Sequence, residues 1–253
     1  AKGNRFSKLT RLRVGRNDLN PATLAPLFAC PQLGALADLE LGNAEIDPDA
    51  VRALGAAAFA QTLERLDLEG ATLPDAGIYD LARCTLPALK TLRLNSINLH
   101  DDVHALNGAP FAATLETLEL DNCELRSEVV RLLYPKKFPA LKTLDLSRNR
   151  IQNIGASTLA AYAKTFPALT SLKLWDNQIG PKGVGALSRS KLLANLTELD
   201  LSANKIGPAG AEDLAKSKYL KKLTSLTVDE KAVGKKGRKA LVDRFGEGVV
   251  SWR

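Results

Sequence analysis

The chain has 253 residues, 45% hydrophobic and 25% charged, with a net charge of +7; this is enough apolar material for a sizeable core and argues against a disordered polyelectrolyte. No run approaches the eighteen or more consecutive apolar residues of a membrane span, and the opening AKGNRFSKLT has no apolar stretch that could serve as an export signal. Three cysteines, Cys30, Cys84 and Cys123, cannot all pair and stand in no zinc-like spacing, which favours a reducing, cytoplasmic compartment.

Taken in chain order, the elements repeat. The first is LTRLRV from Leu9, a strand of the form L-x-x-L-x-L with valine in the last place. Equivalent segments begin at Leu36, Leu63, Leu89, Leu115, Leu141, Leu169, Leu196 and Leu223, at spacings of 27, 27, 26, 26, 26, 28, 27 and 27 residues. Nine copies at nearly one spacing predict a stacked architecture, stabilised coil against coil. Leucines at the fourth and sixth places put two side chains on one face of a short strand and leave the residues between them on the other. The ninth place holds Asn17, Asn149, Asn177 and Asn204, with Cys123 standing in once. Ala44, Ala71 and Ile97 occupy it in three interior repeats, which predicts a looser N-terminal half. Between strands, IGASTLAAYAKTFPA, IGPKGVGALSRSKLL and IGPAGAEDLAKSKYL carry apolar residues at helical spacing, such as Val184 with Leu187 and Ala211 with Leu214. Lys235 to Phe245 reads as a last helix and Val249 to Trp252 as a closing strand. With no Met in the chain and only eight residues before Leu9, a further N-terminal cap or upstream domain is expected.

The pattern L-x-x-L-x-L-x-x-N/C-x-L resembles the leucine-rich-repeat family from about Leu9 to the C-terminus. The period and the I-G-x-x-G-x-x-x-L form resemble its ribonuclease-inhibitor class, and the Ala and Arg usage suggests a bacterial member. The resemblance implies an α/β solenoid, a horseshoe with a parallel concave sheet and helices on the convex side. It makes residues 1–253 a single domain, with about nine repeats over 9–233 and a C-terminal cap over 234–253. It also implies a non-catalytic module that binds a partner protein on its concave face.

The residues give no catalytic set. His100 and His104 have an i, i+4 spacing beside Asp101 and Asp102, but no third ligand is evident, and either Asp explains the stretch as a helix N-cap. Gly180-Pro181-Lys182-Gly183 and Gly234-Lys235-Lys236-Gly237 lack nucleotide-loop spacing and read as helix starts. No cofactor and no metal are expected.

The basic excess does not fall on the strands. At the four outward places of each repeat, seven cations face twelve carboxylates, leaving about +12 to the helices, loops and C-terminal end. Nucleic acid or an anionic surface, held through Lys235, Lys236, Arg238 and Lys239, is therefore the lesser expectation. The leading one is a partner protein with a basic patch, drawn to Glu119, Asp121, Asp145, Glu198 and Asp200. Trp175, in the seventh place of its repeat, is expected to point out of the concave face. Lys173 should lie beside it, with Asp145, Ser147, Arg148, Asp200 and Ser202 as a polar rim.

Overall fold

The computed structural model describes residues 6–127 and 138–253. Among them, ten short strands form one sheet in which every neighbour is parallel and sheet order equals chain order. They are β1 (Arg11–Arg13), β2 (Asp38–Glu40), β3 (Arg65–Asp67), β4 (Thr91–Arg93), β5 (Thr117–Glu119), β6 (Thr143–Asp145), β7 (Ser171–Lys173), β8 (Glu198–Asp200), β9 (Ser225–Val228) and β10 (Val250–Trp252). The central leucines pair across the sheet without a slip, from Leu12 against Leu39 to Leu226 against Val250. The one-residue differences in repeat length are therefore absorbed outside the strands.

Behind the sheet run α1 (Pro21–Phe28), α2 (Pro48–Ala56), α3 (Gly77–Arg83), α4 (Gln152–Ala161), α5 (Pro181–Ser188), α6 (Gly207–Ala215) and α7 (Glu230–Phe245). The coil after β4 carries two 3-10 helices instead, His100–Gly108 and Pro110–Ala113. Strands lie about 4.8 Å apart and packed helices about 8 to 10 Å apart, so such a coil curves with its sheet inside. Local signals set the helix starts. Asn20 and Thr23 form a reciprocal cap on α1, and Asp47 accepts from Ala50 N at 2.7 Å on α2. Asn153 caps α5 from the preceding coil, accepting from Gly180 N at 2.8 Å and Gly183 N at 2.9 Å. In α7 the helix breaks at Gly234, whose φ of 62° suits glycine, before Lys235 to Phe245 closes the last coil.

The first, fourth and sixth residues of each repeat from the second onward are buried, Leu146 and Leu174 completely. In the first repeat Leu9, Leu12 and Val14 are only half-buried. That departs from the uniform pattern, because β1 has a strand on one side only. A second departure concerns α4: the counterpart of Ile179 and Ile206 is buried Ile151, while Ile154 is 66% exposed. The I-G dipeptide at 154 mimics the motif three residues late.

The ninth-place residues stitch the coils together. Asn204 Oδ1 accepts from Asn177 N at 3.0 Å and Ile179 N at 2.9 Å, and its amide donates to Leu174 O at 2.7 Å, Leu201 O at 3.0 Å and Ser202 O at 3.1 Å. Asn149 repeats this on Cys123, Leu125, Leu120, Leu146 and Ser147. Asn177 makes three such bonds, to Ile151 N, Leu146 O and Trp175 O. Cys123 is a free, fully buried thiol that donates to Leu94 O at 3.1 Å; chiefly through burial, its pKa is pushed up to about 12. Asn17 is exposed and bonds only Val14 O and Gly15 O of its own coil.

Candidate functional site

The strand face opposite the helices is polar, and its charges are organised by strand pairing. Residues at equivalent places on successive strands stand one strand spacing apart, so an arginine reaches carboxylates on both neighbours. In the N-terminal half this produces a continuous network. Arg11 meets Asp38 at 2.9 Å, and Arg13 meets Asp38 at 3.4 Å and Glu40 at 3.5 Å. Arg65 meets Asp67 at 2.8 Å; Arg93 reaches Glu119 at 2.6 Å, Asp67 at 3.2 Å and Glu69 at 3.6 Å. Burial works against the Arg93 charge, but the Glu119 hydrogen bond and the surrounding carboxylates raise its pKa all the same. Glu119, one of the expected partner-binding residues, is thus tied to Arg93 and also accepts from Asn95 at 3.0 Å.

The C-terminal half is more open. Arg148 forks onto Asp121, with Nε at 2.8 Å from Oδ1 and Nη2 against Oδ2. Lys173 stands 4.0 Å from Asp145 and Arg253 3.8 Å from Asp200. Glu198 accepts from Ser171 Oγ at 2.6 Å, and among the described residues no cation pairs with it.

Trp175 is half-buried, with the Arg148 guanidinium 5.6 Å and the Arg253 guanidinium 5.8 Å from its ring centre. Strand alternation accounts for its placement, since Leu172 and Leu174 point into the core. The structure brings Trp175 and Arg148 together as the spacing predicted. Ser147 and Ser202 are different: they are 5% and 0% exposed and form no rim. Their burial has a local cause. Asp145 Oδ1 accepts from Ser147 N at 2.9 Å, and Asp200 Oδ1 accepts from Ser202 N at 2.8 Å and Ser202 Oγ at 2.5 Å, so each carboxylate closes the turn that follows its strand. The D-L-S sequence after β6 and β8 carried that signal. Arg253 carried none, because β10 lies outside the repeat.

On the helix side, the two histidines have separate partners. His100 Nδ1 lies 3.6 Å from Glu124, and His104 Nε2 lies 3.3 Å from the Tyr79 hydroxyl, which donates to Asp102 at 2.9 Å. Asp102 does not cap the 3-10 helix, which starts at His100 with Leu99 in the N-cap place and no side-chain cap bond.

The family described as Leucine Rich repeat matches residues 139–160, 167–188 and 193–215. These three segments carry the leucine-rich repeat, and the chain has the fold of a leucine-rich-repeat solenoid. No curated protein matches its sequence. Among solved structures, a chain of the Rad7 and Elc1 complex in yeast is 18% identical, over 92% of this chain and 62% of that one, with a TM-score of 0.63. An internalin, InlF, from Listeria monocytogenes is 17% identical, over 94% of this chain and 66% of that one, with a TM-score of 0.51. The chain thus spans just under two thirds of each, and the likeness is one of fold. Leucine-rich repeats generally mediate protein–protein contact. No helix among the described residues is long and apolar enough to cross a membrane.

Proposed function

We propose that this chain is a non-catalytic protein-interaction module of the ribonuclease-inhibitor-like class, a single cytoplasmic domain that takes its partner on the concave face of its C-terminal half. The observation that carries the reading is Trp175, a large aromatic left half-exposed on a polar sheet with two guanidiniums against it. Stacked arginines pre-order the indole, so that little side-chain entropy is lost when a partner covers it. Trp and Arg are also the residues that most often dominate binding energy.

The partner's sign follows from the charges that are not already used. Asp121, Asp145 and Asp200 have Arg148, Lys173 and Arg253 beside them. Glu198 and exposed Asp176 have no cation partner among the described residues, so this stretch favours a basic patch. Glu119, held by Arg93, contributes by keeping that network in place.

The test is a comparison of the proteins retained from a source lysate by the wild type and by Trp175→Ala, with folding checked by circular dichroism. A protein held by the first and lost by the second, at a cost above about 2 kcal/mol once its affinity is measured, supports the site. Identical retention by both moves it elsewhere.

A further inference from the structure

A second surface lies on the rim where each helix returns to the next strand. In the first four coils this rim is nearly uncharged; its ionic residues there are Glu64, Lys90 and Glu116, with Lys90 on Glu64 at 3.0 Å and Lys142 on Glu116 at 2.7 Å. The return before β10, 246–249, carries Glu247, but the three before it, 162–170, 189–197 and 216–224, contain seven lysines and arginines and no acidic residue. Lys164, Lys191 and Lys218 each stand seven residues before their strand, so they repeat once per coil, and all three are exposed.

Their footing is built, not incidental. Ser190, just before Lys191, is buried and donates to Ala160 O of the preceding coil at 2.5 Å; Ser217, just before Lys218, is buried and donates to Ser188 O at 2.6 Å. Among the described residues no carboxylate pairs with Lys164, Lys191, Lys218 or Lys221. Arg189 and Lys216 do meet carboxylates, Asp213 at 3.8 Å and Glu212 at 3.6 Å. Between the last two segments lies an open groove of about 420 Å³ lined by Arg189, Lys216, Lys218 and Tyr219, with Asp213 on one wall. Three basic residues of α7 are paired instead: Lys236 lies 2.7 Å from Glu212, Lys239 lies 2.8 Å from Asp243, and Arg238 pairs with Glu230.

From this row we infer that the rim of the three coils leading into β7, β8 and β9 binds single-stranded nucleic acid through its phosphate backbone, without reading sequence. A line of one cation per coil matches a linear polyanion better than a flat surface. Lysine binds phosphate as a point charge with no planar geometry to match, which suits contact without sequence readout, and six of the seven cations are lysines. Tyr162, 38% exposed beside Lys164, adds a ring face on which a base can stack, while the ring of half-buried Tyr219 has the Lys218 ammonium 5.2 Å from its centre. This surface and its test are independent of Trp175.

The measurement is fluorescence anisotropy with a labelled oligothymidylate of about 20 nucleotides against the full chain, titrated with salt. Four phosphate contacts predict a log–log salt slope of about −3. The triple variant Lys164→Glu, Lys191→Glu, Lys218→Glu is expected to bind at least about tenfold more weakly, and Lys235→Gln, Lys236→Gln, Lys239→Gln within about twofold of wild type. Tyr162→Ala should weaken binding while leaving the slope unchanged, since stacking releases no counterions. No binding at about 50 mM salt overturns the inference, as does an equal loss from the α7 variant. So does binding to phosphatidylserine vesicles, or to a duplex of the same length, in preference to the single strand.

Discussion

The two halves of the solenoid hold the same curve by different chemistry. Around α4, α5 and α6, the coils are joined through Asn149, Asn177 and Asn204, whose amides bond the loop backbone of their own coil and of the one before. In the N-terminal half, Ala44, Ala71 and Ile97 stand in that place, and their own backbone N–H groups bond back to Leu41 O, Leu68 O and Leu94 O at 3.0, 2.9 and 3.3 Å. Those carbonyls sit three residues back, the place that the amides of Asn149 and Asn204 bond in their own coils. An extra parallel bridge between Glu45 and Thr72, together with the arginine network across β1 to β5, supplies coil-to-coil contact that the asparagines provide elsewhere. A buried loop must satisfy its backbone groups, but the bonds can come from a side chain or from a tighter turn. The three segments that match the family are those that carry Asn149, Asn177 and Asn204.

The largest expected effect does not distinguish the halves, and that sharpens the contrast. Leu174→Ala and Leu92→Ala each empty a fully buried site in the same leucine ladder, so each should cost about 2 to 5 kcal/mol in urea unfolding. A much smaller cost at Leu92 would mean that the N-terminal core is packed differently, and the comparison would no longer concern the ninth place alone.

The next effect should separate them. Asn204→Ala leaves the N–H groups of Asn177 and Ile179 without their acceptor in a buried loop, at a cost of about 2 to 3 kcal/mol. Ala71→Asn has no orphaned groups to satisfy, because Ala44 N and Ile46 N, the counterparts of Asn177 N and Ile179 N, already bond Leu41 O and Thr72 O, and it should bring no gain. Native-state hydrogen exchange of the two variants checks this coil by coil. Stabilisation by Ala71→Asn would show that the N-terminal half lacks bonds, as its sequence suggests.

What was legible in the sequence follows the same division. Leucine spacing located β1 to β9 and their register, because one residue type at one period does one job in all of these coils. The partners of Asn149 and Asn204 were legible in kind for the same reason. The arginine network was not, since pairing between Arg93 and Glu119 depends on side chains 26 residues apart reaching across two strands. Ile154 misled because a dipeptide copied a motif out of phase. Arg253, against Trp175, lies where no repeat predicts a neighbour. The placement of Arg148 beside Trp175 was read from the spacing, but the burial of the two serines, which follows from the turn that Asp145 and Asp200 close, was not.

The smallest effect concerns that turn-closing carboxylate. The Asp at the fifth place recurs in both halves, but its company differs: Asp67 has Arg65 and Arg93 within 3.2 Å, whereas among the described residues Asp145 has only Lys173 as a cation partner, at 4.0 Å. Burial, opposed by the Ser147 hydrogen bonds and by Lys173, leaves the Asp145 pKa above the ordinary 3.8. A carboxyl group whose folded pKa is raised binds its proton more tightly in the native state than in the unfolded chain. Ionising it therefore costs stability, and the loss sets in as pH rises through the unfolded value and is complete above the raised folded value. Asp145→Asn keeps an oxygen that can accept from Ser147 N but cannot ionise. The expected outcome is that the variant gains on the wild type as pH is raised from about 3 to 6 in matched urea titrations, with the difference constant above that range. A gap that narrows across that range would mean that Lys173 outweighs burial, and the C-terminal face would then be charge-compensated like the N-terminal one.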